Sequence, residues 1–444
     1  MRWNLFLKAF AVMAIALVLV IPLTMIYGQV EDRHRRQMEV EANVAGSSAG
    51  PQQIIGPLVV VDYSIRLEKQ RKDEKTGLVV TYVEDEARQR IFVPKELAIK
   101  GDAKVEERNR GLYKAQLYHL DSKLSGRFAI PADMGLGAEW KAARGARAHL
   151  VLGISDLRGI RNRPVLQWNA HPLEFEPGDL ATLSHGIQVA FPEAAALEGR
   201  EFSFEIPLEL TGTKRFSVAP VAERTEMSLR SDWPDPSFGG RFLPLSHQVG
   251  PGGFEARWQV SSLARNLPKI LEGGKERFTE EAFEVAFIRP VNLYLQSERA
   301  VKYGFLFVGL TFAAFLMFEL LKRLRIHPMQ YLLVGLGLAM FFLLLISLAE
   351  HIGFLNAYLA ASSACILLLG FYLEHVLQNR LRGWGFAGAL ALLYGVLYGL
   401  LISEDNALIM GSLLLFCALA AVMLATRKLD WYGISQKGEV AGSE

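Results

Sequence analysis

Acidic side chains set against long apolar runs are where chemistry could reside in this 444-residue chain. They are Glu319, the dipeptides Glu350-His351 and Glu374-His375, and the pair Glu404-Asp405. An ionisable group inside hydrocarbon costs about 2.5–3.5 kcal/mol on insertion scales, so each invites a reading as a proton or ion relay. Imidazole beside carboxylate also suits a zinc-type ion. Position argues for plainer roles. Glu350, His351, Glu404 and Asp405 fall at one end of their apolar runs and Glu319, Glu374 and His375 at the other, where side chains reach headgroups or water. Two Glu-His dipeptides on opposite sides of a bilayer cannot share an ion. These residues are therefore expected at the membrane rim, with no metal ligand and no cofactor site among them. Glu319, flanked by Phe318 and Leu320, stands closest to a relay.

Spacing-dependent enzyme motifs are scarce. The chain has neither a Walker phosphate loop nor His-Glu-x-x-His, which would set two imidazoles on one helical face. Gly153-Ile154-Ser155-Asp156 begins like a nucleophile elbow but lacks the closing glycine, so Ser155 is expected at a strand-to-turn junction. No catalytic residue is assigned. Ser231-Asp232-Trp233-Pro234-Asp235-Pro236-Ser237-Phe238 combines rigid prolines with aromatics. Trp233, Pro234, Pro236 and Phe238 form the candidate partner-binding loop, the alternative being a proline-braced turn over the core. Arg108 and Arg110 precede a strand and are expected to pair with Glu106 and Glu107 rather than with lipid phosphates. Ala387, Ala391, Gly395 and Gly399 recur every fourth residue, a small-residue face expected to pack inside the chain's own helical bundle.

The elements that carry these residues follow from where charge is absent. Residues 28–300 hold 75 charged side chains among 273, whereas residues 301–444 hold 17 among 144. The second region contains apolar runs too long for a globular core. One span is expected at Ala9–Tyr27, read as an uncleaved signal anchor because no small-residue cleavage site closes it. Five more follow at Tyr303–Leu321, Tyr331–Ala349, Phe354–Leu373, Gly383–Ile402 and Ala407–Ala425. Basic residues cluster at alternate connections, at Lys322, Arg323 and Arg325, at Arg380 and Arg382, and at Arg427 and Lys428. The positive-inside rule then sets both termini in the cytoplasm and residues 28–300 outside. Arg33, Arg35 and Arg36, just beyond the first span, run against that rule, but long exported domains translocate largely regardless of charge. A net charge of +2 excludes the basic footprint of a nucleic-acid binder. The only cysteines, Cys365 and Cys417, lie in apolar runs, so no disulfide braces the exported part.

That exported part reads as strands. Glu201–Leu210 and Phe254–Val260 alternate polar and apolar, each with one dry face and one wet face. Shorter candidates are Leu58–Ile65, Leu78–Val83, Leu112–Tyr118, His149–Ile154 and Phe283–Phe287, separated by turns such as Lys75-Thr76-Gly77 and Pro251-Gly252-Gly253. A helix is expected over Arg33–Ala45, continuing the first span. The organisation is thus a cytoplasmic tip and first helix over residues 1–27, a largely antiparallel β-rich exported domain over 28–300, five transmembrane helices over 301–426 and a tail over 427–444.

Several segments together resemble the CreD family of bacterial inner-membrane, cell-envelope integrity proteins. They are Gly50-Pro51-Gln52 with Gly56-Pro57; Glu107-Arg108-Asn109-Arg110-Gly111-Leu112-Tyr113; Ser231–Phe238; Gly253-Phe254-Glu255-Ala256-Arg257-Trp258; His327-Pro328-Met329-Gln330-Tyr331; Glu350-His351-Ile352-Gly353-Phe354; Glu404-Asp405-Asn406; and Arg427-Lys428-Leu429-Asp430-Trp431-Tyr432. The resemblance implies an inner-membrane protein tied to the CreBC two-component regulon, whose loss or overproduction alters colicin tolerance and β-lactam response. It implies no catalytic residues and no defined ligand. The expected partners are the bilayer and an envelope protein, lipid or cell-wall component, bound by the periplasmic domain. The alternative is a transporter or lipid-handling protein built on the C-terminal helices.

Overall fold

A computed structural model describes residues 2–72, 79–178, 185–265, 280–288, 293–322, 326–377, 379–403 and 407–427. Glu404, Asp405, the Lys75-Thr76-Gly77 turn and the tail beyond Arg427 lie outside the described residues. Two compact units divide the chain, Met1–Gln37 with Val291–Glu444, and Met38–Pro290.

The helical unit begins with α1 (Arg2–Val18) and α2 (Val20–Ser47), interrupted only at Leu19. Pro22 has no N–H to return to the Val18 carbonyl, so the ladder loses a rung there. Beyond the apolar run α2 continues through Glu31–Arg36, where Arg35 reaches back one turn to Glu31 at 3.8 Å. The helix ends at Ser47, just ahead of Gly50-Pro51. With α3 (Ala138–Ala142) left to the other unit, the remaining helices are α4 (Leu293–Lys322), α5 (Pro328–Ile352), α6 (Phe354–Val376), α7 (Arg380–Ile402) and α8 (Ala407–Thr426). The division between the two units falls within the long first helix and just before α4. Both helices outrun their apolar stretches because helix-forming residues continue them past the hydrocarbon.

Five helices are long and apolar enough to cross a bilayer: Phe10–Ser47, Tyr294–Glu319, Pro328–Ile352, Phe354–Val376 and Arg380–Ile402. The sixth, α8, has 20 apolar-rich residues, about 30 Å at 1.5 Å per residue. Aromatic rings fill the bundle. Tyr394 lies with its centroid 4.6 Å from both Phe307 and Phe341, and its hydroxyl donates to Cys365 Sγ at 3.1 Å. Tyr358 in turn donates to the Tyr394 carbonyl at 2.7 Å. These buried hydroxyls thus find partners inside the protein, as lipid requires.

The strand-rich unit packs two eight-stranded sheets over one core. The first joins β13 (Pro236–Gly240), β16 (Phe283–Phe287), β11 (Arg215–Ala219), β1 (Gln52–Lys72), β5 (Arg144–Ile154), β9 (Gly186–Phe191) and β8 (Glu176–Gly178), with β2 (Val79–Phe92) also on β1. The second runs β14 (Ser246–Gly250), β15 (Gly253–Ser261), β12 (Arg224–Ser231), β3 (Glu96–Arg110), β4 (Tyr113–Ala129), β10 (Glu201–Thr213), β6 (Val165–Trp168) and β7 (His171–Glu174). All pairings are antiparallel except β1 with β11 and β3 with β12. The expected alternation holds in β10, which buries Phe202, Phe204, Ile206, Leu208 and Leu210, and in β15, which buries Phe254, Ala256, Trp258 and Val260. These meet Val59, Val61, Leu150 and Leu152 of the first sheet in a single apolar cluster.

Candidate functional site

The described rim acids, Glu319, Glu350 and Glu374, are built into helix ends, each with its own partners. Glu350, at the end of α5, accepts from the Tyr294 hydroxyl of α4 at 3.3 Å and pairs with Arg33 of α2 at 3.4 Å. Its side chain is only 6% exposed, and it ties three helices. Neighbouring His351 faces outward. Glu374 closes α6, accepting from Arg380 Nε at 2.7 Å and the Trp384 indole at 3.3 Å. His375 is exposed, its ring against Phe371. Glu319 is buried near the end of α4 and accepts from the Tyr331 hydroxyl at 2.8 Å and the Ile326 amide at 3.2 Å. It thereby fastens α4 to the start of α5, whose own first turn is capped by His327 and Gln330 with Pro328 in the first position.

The small-residue stripe on α7 does not make one face. Ala387 is buried against Gly370 of α6, and Gly399 lies near Met410, but Ala391 and Gly395 are exposed. Four-residue steps on a helix of 3.6 residues per turn drift about 40° each, so the stripe winds off the contact. The seam that does meet neighbouring helices is Gly383, Ala387, Leu390, Tyr394, Leu397 and Leu401, at steps of three and four. At Gly383 a side chain would meet the Glu374 backbone at 2.6 Å.

In the strand-rich unit, Trp233, Pro234, Pro236 and Phe238 are half-buried over the core. The Trp233 indole donates to the Ile288 carbonyl at 2.8 Å, and the Phe238 ring lies 5.7 Å from both Phe254 and Trp258. Directly before them Ser231 and Asp232 line an open groove of about 530 Å³, formed where β12 and β14 end and β15 begins, beside the middle of β3. Asp102, Lys104, Arg230, Gln248 and Glu255 complete its polar wall. Asp232 accepts from the Val105 amide at 2.9 Å and so fixes one lip, while Arg230 and Glu255 pair across strands at 3.2 Å. Both signs of charge face the opening. Of these groove residues the quoted segments contained Ser231, Asp232 and Glu255; Asp102, Lys104, Arg230 and Gln248 lie outside them.

The serine signals prove structural. Ser155 accepts from the Gln53 amide and donates to the Pro51 carbonyl, both at 2.9 Å. Buried Gln52 beside it donates to the Asp156 and Thr211 carbonyls at 2.9 and 3.1 Å. Asp156 accepts from the Gly50 amide at 3.0 Å, and the Arg158 guanidinium beside it holds its carboxyl below the usual range. Gly46-Ser47-Ser48-Ala49-Gly50 has the Gly-x-Ser-x-Gly spacing, but there the chain leaves a helix for a strand, the reverse of a nucleophile elbow. Arg108 pairs with Glu106 at 3.0 Å, and Lys114 with Glu107 at 3.4 Å, near the tip of the β3–β4 hairpin.

Apolar helices flanking a large inserted β unit define a polytopic membrane protein. Residues 4–432 match the family described as "Inner membrane protein CreD", and Escherichia coli (strain K12) inner membrane protein CreD is 36% identical over 434 residues, 97% of this chain and 94% of its own length. The chain belongs to the CreD family of inner membrane proteins. Among solved structures, an M1 zinc metallopeptidase from Deinococcus radiodurans aligns over 44% of this chain and 41% of its own, with 11% identity and a TM-score of 0.23. A mutant of that enzyme bound to a Tyr-Ser-Ala substrate gives 0.21. Likeness at that level carries no argument about fold or chemistry.

Proposed function

We propose that the protein is a non-enzymatic inner-membrane protein supporting envelope integrity, whose strand-rich unit binds an envelope component at the groove beside Ser231–Phe238. Both termini are cytoplasmic in this reading, with the strand-rich unit in the periplasm, supported by basic residues at alternate helix connections. The observation that carries the binding role is the groove itself. It is open, lined by both signs of charge, and flanked by a segment that Trp233 and the prolines hold rigid. The role of the bundle is anchorage. Glu319, Glu350 and Glu374, the motive for reading it as a transporter, each accept bonds from a neighbouring helix or helix start, which supports a structural part instead.

A photo-crosslinking residue at Gln248 or Lys104 in the full chain, expressed in cells, is expected to trap a discrete envelope adduct. Asp232→Ala with Arg230→Ala should remove it. No adduct at either position, or an adduct indifferent to both substitutions, overturns the groove as a binding site.

A further inference from the structure

Glu31 and His34 stand three residues apart on α2 and so share a face, and Glu298 of α4 approaches that face. One ligand atom from each lies within 4.8 Å of the other two, and all three side chains are half-buried. The surroundings are arranged. The Tyr27 hydroxyl at 3.2 Å and Lys302 Nζ at 2.7 Å both bond Glu298 Oε1, which leaves Oε2 without a bond among the described residues. Among the described residues Glu31 has only the long contact to Arg35, at 3.8 Å. The Arg33–Glu350–Tyr294 bonds nearby hold α2, α4 and α5 in register.

We propose that Glu31, His34 and Glu298 form a mononuclear site for a divalent transition metal of the zinc type. Around four-coordinate zinc, bonds of about 2.0–2.2 Å set ligand atoms about 3.3–3.6 Å apart, so side-chain rotations of about 1 Å close the site. The imidazole selects against magnesium and calcium, which take oxygen ligands. Two carboxylates balance the ion's charge, and three protein ligands leave a position for water. Tyr27 and Lys302 orient the Glu298 carboxylate by fixing its other oxygen, as outer partners of metal ligands do. Glu31 and His34 lie about one and two turns past Tyr27, the end of the apolar run, so the ion arrives from water without crossing hydrocarbon. The site has a mechanical consequence. The chain enters the strand-rich unit through α2 and returns from it into α4, and a metal would clamp those two helices together.

The test uses the full-length protein in detergent, without a histidine tag, stripped with a chelator and titrated with Zn²⁺ against a chromophoric competitor. Uptake of one Zn²⁺ per chain is expected, with His34→Ala and Glu31→Ala each weakening it roughly 10-fold or more. His351→Ala, on an exposed rim histidine, should leave uptake unchanged. X-ray absorption of the zinc-loaded wild type, which depends on no variant folding, should show one imidazole among oxygen ligands. Uptake equal in wild type and His34→Ala, no uptake by the wild type, or a first shell lacking imidazole overturns the proposal.

Discussion

In the helical unit Glu319, Glu350 and Glu374 each use a carboxylate to hold a neighbouring helix or helix start, whereas in the strand-rich unit many acids meet a Lys or Arg on the wet face of one sheet. Glu205 with Lys123 at 2.7 Å and Glu226 with Arg224 at 2.7 Å are of the second kind. The difference reflects solvent. Water replaces a lost surface partner at little cost, while a polar group facing a packed apolar seam has only the protein to turn to. Few polar contacts in the bundle should therefore each matter, and many on the sheets should each matter little. The Gln52 node is the informative exception, since it is buried in the strand-rich unit and shielded from water.

The largest effect should come from Glu319→Leu. It strands the Tyr331 hydroxyl and the Ile326 amide, and a stability loss of about 3 kcal/mol is expected in denaturant titration of the detergent-solubilised protein. A loss no greater than that of a surface acid would break the contrast. Gln52→Leu should follow closely, at about 2 kcal/mol, because it abandons the Asp156 and Thr211 carbonyls. In the bundle Gly383→Val forces α7 off the Glu374 backbone and should cost about 2 kcal/mol, while Gly395→Val, facing open space, should cost almost nothing. Equal losses at the two glycines would remove the assigned seam.

Asp156 gives a pH-dependent version of the same test. Its carboxyl is held low, chiefly by Arg158, so its contribution is complete above the ordinary carboxylate range and is lost as pH falls through the lowered value. The strand-rich unit's melting temperature should drop between about pH 5 and pH 3, and Asp156→Asn should shallow that slope while costing about 1 kcal/mol at neutral pH. An unchanged slope would detach Asp156 from acid stability.

Legibility differed between the units for physical reasons. Membrane helices announce themselves because hydrocarbon demands about 20 apolar residues in a row, and each expected span after residue 300 lies inside or nearly fills an observed helix. The helix expected over Arg33–Ala45 is the outer part of α2, which runs on unbroken from the apolar stretch to Ser47. Among strands, β10 and β15 were plain because apolar residues fill every inward position, whereas β12 places Thr225 and Ser231 inward beside Met227 and Leu229, and β3 loses its alternation toward Arg110. Glu31 and His34 carried a signal in their three-residue spacing, but its meaning depended on Glu298, more than 260 positions away. Ala391 and Gly395 misled because a four-residue spacing looks like one face over a turn and departs from it over three.

The smallest expected effect is also the cleanest check on the sheet side of the contrast. Glu226 lies on β12 with Arg224 two residues earlier on the same wet face, both roughly half-exposed. Removing the charge with Glu226→Gln keeps the side chain's shape, and Arg224 turns to water, so the loss should stay under about 0.5 kcal/mol. Salt screens what little attraction there is, so raising ionic strength should narrow the gap between wild type and variant further. A loss near that of Gln52→Leu, insensitive to salt, would mean that the outer face of β12 is covered in the working protein. Because that strand also carries Arg230 and Ser231 into the groove, a covered face there would put the partner on the sheet and not only at its end.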